Sequence, residues 1–144
     1  MPGGECELPQ GNADSGEIRA ILKAYQHIAV VGLSDKPDRP SYGVAAYMQK
    51  QGYRITAVNP MLQSFEGAPA YPNLTAIPGP LEIVCIFRKP ADVPPVVDEA
   101  IARKAKVIWM QEGIVHNGAA ERARAAGLQV VMNKCMLKEH LKYG

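Results

Sequence analysis

The residues able to do chemistry stand in short clusters, each directly after a β-branched apolar run. Gly32-Leu33-Ser34 follows Ile28-Ala29-Val30-Val31, and Asn59-Pro60 follows Ile55-Thr56-Ala57-Val58. Phe87-Arg88-Lys89-Pro90 follows Ile83-Val84-Cys85-Ile86, Gln111-Glu112-Gly113 follows Val107-Ile108-Trp109-Met110, and Asn133-Lys134-Cys135 follows Val130-Val131-Met132. Such continuous apolar runs read as buried parallel strands. In open α/β sheets, ligands bind beyond the C-terminal ends of the strands. The five clusters supply glycine, hydroxyl, amide and cation with a single carboxylate, Glu112. That chemistry suits an anionic ligand carrying a polar base, a nucleotide or a nucleotide-like cofactor. Gly32 and Ser34 make a strand–turn–helix junction, where free N–H groups and the positive dipole end of a helix favour phosphate.

A dinucleotide site has stricter requirements. The GxGxxG fingerprint is absent, since Gly32 is followed by Leu-Ser-Asp-Lys-Pro, and the second strand ends in Asn59-Pro60 where an acidic residue would hold an NAD ribose. Arg54 could serve an NADP phosphate but lies mid-strand. An NAD(P)-binding oxidoreductase or redox sensor therefore stands as the less supported alternative. Each cluster also has a purely structural reading. Gly32 can simply permit a tight turn, Ser34 and Ser41 can be caps, Arg88 and Lys89 can be solvated, and Asn-Pro is an ordinary turn former.

No GxSxG, GxxxxGK[ST] or HExxH motif occurs, and Glu112 is the one candidate general base in the rim, so no enzyme is expected. His27, His116 and His140 lack metal-ligand spacing, and no metal is expected. The cysteines, Cys6, Cys85 and Cys135, are odd in number and far apart, which fits a reducing compartment. Cys85 reads as a small core hydrophobe. Cys135 stands beside Lys134, whose ammonium would favour thiolate, so it reads either as a reactive thiol or as a packed one.

The elements that must position these clusters alternate in type. Asp14 and Glu17 form a capping box ahead of Ile18, Ile21, Leu22 and Tyr25, one apolar helical stripe. A strand over 27–33 leads to a Pro-containing loop, then to a helix capped by Ser41 and stopped at Gly52. A strand over 53–58 follows. Residues 63–80 read as a loop with a short strand near 68–71 and one helical turn at 74–77. A strand over 81–87 leads to a helix capped by Asp92, with Pro94 and Pro95 confined to its first turn. A strand over 106–110, a helix capped by Asn117, a strand over 128–132 and a short terminal helix complete the chain. The alternation predicts a doubly wound, Rossmann-like α/β domain: about five parallel strands in three layers, α/β/α.

At 144 residues the chain is long enough for one domain with a real core, expected over 14–144 behind a flexible tail at 1–13. A net charge of +2 and no basic run longer than two residues argue against nucleic acid. No apolar run approaches the ~20 residues of a membrane span, and the N-terminus lacks a signal-peptide pattern. A cytoplasmic, soluble protein is the expectation.

Taken in order, Val31-Gly32-Leu33-Ser34, Arg39-Pro40-Ser41-Tyr42-Gly43-Val44, Gly52-Tyr53, Val58-Asn59-Pro60, Phe87-Arg88, Trp109-Met110-Gln111-Glu112-Gly113 and Asn133-Lys134-Cys135 resemble the small bacterial CoA-binding proteins. These are similar to the CoA-binding domain of the succinyl-CoA synthetase α subunit standing alone. The resemblance runs from about Ile18 to the C-terminus. It implies a Rossmann-like fold holding coenzyme A or acyl-CoA at the rim. By position, it implies that Gly32, Leu33 and Ser34 approach the phosphates and that Lys36, Arg39, Ser41 and Tyr42 help to hold them. Asn59, Pro60, Phe87, Arg88 and Lys89 would wall the nucleotide and pantetheine. Gln111 and Gly113 belong to a segment matching the synthetase, and Cys135 matches the family's cysteine after the last strand. The family often has Asp-Arg-Cys-Pro there, whereas this chain has Asn133-Lys134-Cys135-Met136. The ligase domain and phosphorylated histidine of the synthetase are absent, so ligase activity is not implied. A thiol role, in which Cys135 forms a mixed disulfide with CoA, is a further alternative.

Overall fold

The apolar runs form the sheet and the amphipathic segments cover it. The structure of the protein, a computed structural model, describes residues 8–143. Helix α1 (Ser15–Ala24) leads to β1 (His27–Val31), α2 (Pro40–Lys50) and β2 (Arg54–Val58). A short hairpin, β3 (Ser64–Phe65) and β4 (Ala68–Pro69), precedes β5 (Ile83–Ile86). A 3-10 turn (Pro90–Asp92) and α3 (Val93–Ala102) follow, then β6 (Val107–Met110), α4 (Asn117–Ala125), β7 (Gln129–Val131) and α5 (Met136–Tyr143). The main sheet has the order β2-β1-β5-β6-β7, with every neighbouring pair parallel. This is the expected three-layer, doubly wound architecture. Successive connections diverge between β1 and β5, which makes their C-terminal ends the topological switch point.

Alternation along each strand sends side chains to two apolar layers. Ala29, Val31, Val84, Ile86, Ile108 and Met110 meet α3 and α4 through Val93, Val97, Ala100, Ala119 and Ala123. Ile28, Val30, Cys85, Val107 and Trp109 meet α1, α2 and α5 through Ile18, Ile21, Val44, Met48 and Met136. All five residues of β1 and all four of β5 and of β6 are buried, as strands covered on both faces must be. Trp109 is wholly buried, and its indole N–H donates to the Lys134 carbonyl at 2.8 Å. Burial pushes the Cys85 thiol far up, which keeps it protonated in the core.

The Asp14–Glu17 capping box is present in both directions. Two expected caps are replaced. Ser41 lies inside α2 rather than before it; Pro40 takes the first helical position, and the N-cap is Arg39, without a side-chain cap bond. For α4 the cap is His116, whose Nδ1 accepts from the Ala119 N–H at 3.0 Å. Asn117 instead accepts from the Gln10 N–H and donates to the Leu8 carbonyl, both at 2.8 Å. Asp92 does precede α3, but its side chain makes no cap bond. The expected strand near 68–71 is β4, whose partner β3 the sequence reading lacked, and Tyr71 adds an isolated bridge to Val58. The turn at 74–77 closes through Ile77 N–H to Leu74 O at 3.2 Å.

Residues 1–7 of the expected tail, Cys6 among them, lie outside the described residues. Residues 8–13 of that expected tail hydrogen-bond to the domain. The Asn12 amide donates to Met132 O and accepts from Met132 N–H, both at 2.8 Å, and Arg124 donates to Gly11 O at 3.0 Å. No helix among the described residues is long and apolar enough to cross a membrane.

Candidate functional site

The site begins with one glycine. Gly32 has φ +88°, and a Cβ there would stand 2.4 Å from the Phe87 carbonyl oxygen. Only a residue without a side chain allows this approach. Gly32 N–H donates to Val58 O at 2.9 Å and Phe87 N–H donates to Val31 O at 2.8 Å, so the ladders run to the end of all three strands. The result is that the turn after β1 and the loop after β5 share one rim, with the Arg88 stem 3.5 Å from the position of that missing Cβ.

The loop between β1 and α2 is held by hydroxyls. Ser34 N–H donates to the Ser41 Oγ at 3.0 Å, and Lys36 N–H donates to the Ser34 Oγ at 3.1 Å. Ser41 is buried, so the helix start is anchored to the turn it faces. Asn59 spans the next junction: its Nδ2 donates to Leu33 O at 3.0 Å, and its Oδ1 accepts from Met61 N–H at 2.9 Å. Both ends of that amide are therefore committed within the protein. The start of α2 opens on the rim with its positive dipole end. The start of α3 is a poorer donor, since Pro94 and Pro95 carry no N–H.

These elements enclose a cleft of about 620 Å³. Among the expected site residues, Gly32, Ser34, Arg39, Ser41, Asn59, Phe87, Arg88 and Lys89 line it. Asp35, Pro40, Met61, Leu62 and Asp92 also line it and were not among the expected site residues. Met61 carried the strongest missed signal, an apolar residue after a strand-ending Asn-Pro, and it is 86% exposed. The lining charges are three cations, Arg39, Arg88 and Lys89, against two carboxylates, Asp35 and Asp92. None of the three cations has a side-chain ion pair or hydrogen bond among the described residues.

The remaining expected residues are placed elsewhere. Leu33 is fully buried and offers the cleft region only its backbone. Lys36 and Pro60 are exposed outside the lining. Tyr42 donates to Glu66 Oε2 at 3.1 Å, which raises its phenol pKa, and its ring packs edge-on against Phe65. Gln111 is buried; its Oε1 accepts from Met136 N–H at 2.9 Å and from the Cys85 thiol at 3.7 Å. Gly113 N–H donates to Asn133 Oδ1 at 2.7 Å. Cys135 is half-buried at the start of α5, outside the cleft lining, and its carbonyl accepts from Glu139 N–H. Among the described residues no group of histidines, cysteines and carboxylates could hold a metal ion.

Comparison with known proteins gives this rim its context. Uncharacterized protein YneT of Bacillus subtilis (strain 168) is 40% identical over 129 residues, which is 90% of this chain and 96% of the relative. A hypothetical protein from Pyrococcus horikoshii OT3 superposes with TM-score 0.89 at 36% identity, covering 95% of this chain and 96% of that one. A dinucleotide-forming acetyl-coenzyme A synthetase 1 of Ca. Korarchaeum cryptofilum, solved with phosphate and ADP, shares the fold at TM-score 0.66 and 20% identity, covering 75% of this chain and 26% of that one. The family model for the CoA binding domain matches residues 26–141, nearly the whole described chain, and with these relatives it shows that the chain belongs to the CoA binding domain family.

Proposed function

We propose that the protein holds coenzyme A, free or acylated, in the cleft at the ends of β1, β2 and β5, and that it does so as a binding protein without catalysis of its own. The observation that carries the reading is the trio Arg39, Arg88 and Lys89, three cations without partners among the described residues, on one cleft at the start of α2. Coenzyme A carries a pyrophosphate and a 3′-phosphate, and charge-assisted hydrogen bonds to such groups are the strong ones. The cleft's volume of about 620 Å³ lies within the usual range for small-molecule sites. Ser34 would add a hydroxyl, Met61 and Phe87 apolar contact.

The NAD(P) reading has less support. The end of β2 offers no carboxylate for a ribose diol, and the Asn59 amide there is already committed at both ends. Catalysis has little support: among the described residues no histidine or cysteine lines the cleft, and its only acid–base side chains besides the cations are Asp35 and Asp92. Thermal denaturation and calorimetry with CoA test the proposal. At a hundredfold excess over Kd, binding to the native state adds about 2.7 kcal/mol of stability. CoA should raise the melting temperature more than NAD(P)(H) does, and no shift at millimolar CoA would sink the reading.

A further inference from the structure

A second cavity lies at the other end of the same strands. It has a volume of about 260 Å³ and is lined by His27, Arg54, Thr56, Tyr71 and the 77–80 segment. Its walls are apolar where Tyr71, Ile77, Pro78 and Pro80 face it, and its polar groups come from the neighbouring starts of β1 and β2, where His27 pairs with Arg54 in register.

His27 is 4% exposed, and its Nδ1 is the one buried side-chain nitrogen or oxygen without a hydrogen-bond partner among the described residues. Its Nε2 lies 2.7 Å from the Thr56 Oγ1. A neutral imidazole and a hydroxyl together own two polar protons, and one bond between them uses one. If Thr56 donates to Nε2, the Nδ1–H is left over. If Nε2–H donates to Thr56, the threonine O–H is left over. The Nδ1 atom is out of reach of anything in the cavity, so the donor a ligand can meet is the Thr56 O–H of the second arrangement, on a half-buried side chain that lines the cavity. Burial, and then the Arg54 charge, lower the His27 pKa, so the ring is neutral at neutral pH. The Arg54 guanidinium has no ion pair or side-chain hydrogen bond among the described residues. The nearby Glu82 carboxylate accepts from the Gln26 and His27 N–H groups at 2.9 Å and does not line the cavity.

We propose that this cavity is a second ligand site, built for a small aromatic monocarboxylate. One carboxylate oxygen pairs with Arg54, the other accepts the Thr56 O–H while the threonine oxygen takes the His27 Nε2–H behind it, and the ring lies among Tyr71, Ile77 and the two prolines. The site is independent of the cleft at the opposite strand ends, and its test does not depend on coenzyme A.

The experiment is a titration of the ¹⁵N-labelled protein with sodium benzoate, with sodium acetate and inorganic phosphate as comparison probes. His27 ring and Arg54 side-chain resonances are followed, with Ser34 and Lys89 amides as reporters of the cleft. Benzoate should give saturable shifts at His27 and Arg54 and leave the cleft amides still. Arg54→Gln, on an exposed side chain, should weaken benzoate roughly tenfold or more, the effect of losing a hydrogen bond to a charged group; Arg88→Gln should not change it. Thr56→Val, which removes the hydroxyl proton and leaves the arginine, should also weaken it. Acetate should bind more weakly because it lacks the ring. Absence of saturation with benzoate, equal affinity in Arg54→Gln, or phosphate or acetate binding as tightly as benzoate would each overturn the proposal.

Discussion

The two halves of the C-terminal rim are built from similar residues and end in different states. At β6 and β7 the polar groups are knitted together. Gln111 holds the start of α5, Asn133 holds Gly113, Glu112 pairs with Lys138 at 3.0 Å, and the Lys134 carbonyl accepts from Trp109, its ammonium alone having no partner among the described residues. At β1, β2 and β5 the hydroxyls and the Asn59 amide are likewise committed, but Arg39, Arg88 and Lys89 are left with charge and no partner among the described residues. The difference teaches that a polar rim is informative through what it leaves over. One half ties its amides and its carboxylate into the fold; the other holds its loops with neutral groups and leaves three cations on one cleft unpaired among the described residues.

Substitutions can break this contrast. Gly32→Ala should have the largest effect. Its Cβ meets the Phe87 carbonyl at 2.4 Å on a backbone with φ +88°, so either the turn or the β5 loop must move. A loss of about 3 kcal/mol, read from the denaturant midpoint, is expected from strain of this kind. CoA affinity should fall as well, since the same approach shapes the cleft.

Gln111→Leu and Arg88→Gln separate the two halves. The first leaves the buried Met136 N–H without its acceptor, which costs about 1–3 kcal/mol of stability. It should leave CoA affinity nearly unchanged by calorimetry. Arg88→Gln should do the opposite: stability within about 0.5 kcal/mol of the parent, and CoA affinity down roughly tenfold or more. If Gln111→Leu weakened CoA as much as Arg88→Gln did, the knitted half would have to be counted as part of the site.

The smallest effect concerns pH. Burial holds the His27 pKa below its ordinary value, with Arg54 adding to this and Glu82 opposing it. The unfolded chain then binds the proton more readily, so this contribution to stability is complete above the unfolded value of about 6.5 and fades as pH falls through it. The melting temperature of the parent should drop more between neutral and mildly acidic pH than that of His27→Asn.

Much of the fold was legible because burial on both faces writes itself as continuous apolar runs: β5 and β6 lie wholly within such a run, and β1, β2 and β7 enter one after a polar first residue, His27, Arg54 and Gln129. The caps of α2 and α4 were not legible. Ser41 and Asn117 have suitable side chains, but Pro40 starts α2 one residue earlier and His116 reaches the Ala119 N–H first. Cap choice depends on where the chain arrives in space, which the order of residues does not state. The candidate site divides in the same way. Strand-end position located Gly32, Ser34, Arg88 and Lys89 on one cleft, whereas Gln111 was placed among them and is turned inward. An amide at a strand end reads alike whether it points to a ligand or to a neighbouring helix.

The Asn12 amide has a consequence for the life of this protein at high concentration. β7 is an edge strand, and just past its end Met132 both donates to and accepts from that amide. An exposed edge is a template on which a second chain can add a strand. Asn12 occupies the two backbone groups such a chain would need there, as a single-residue imitation of a sixth strand. The segment before α1 thus closes the edge at Met132, one residue past β7.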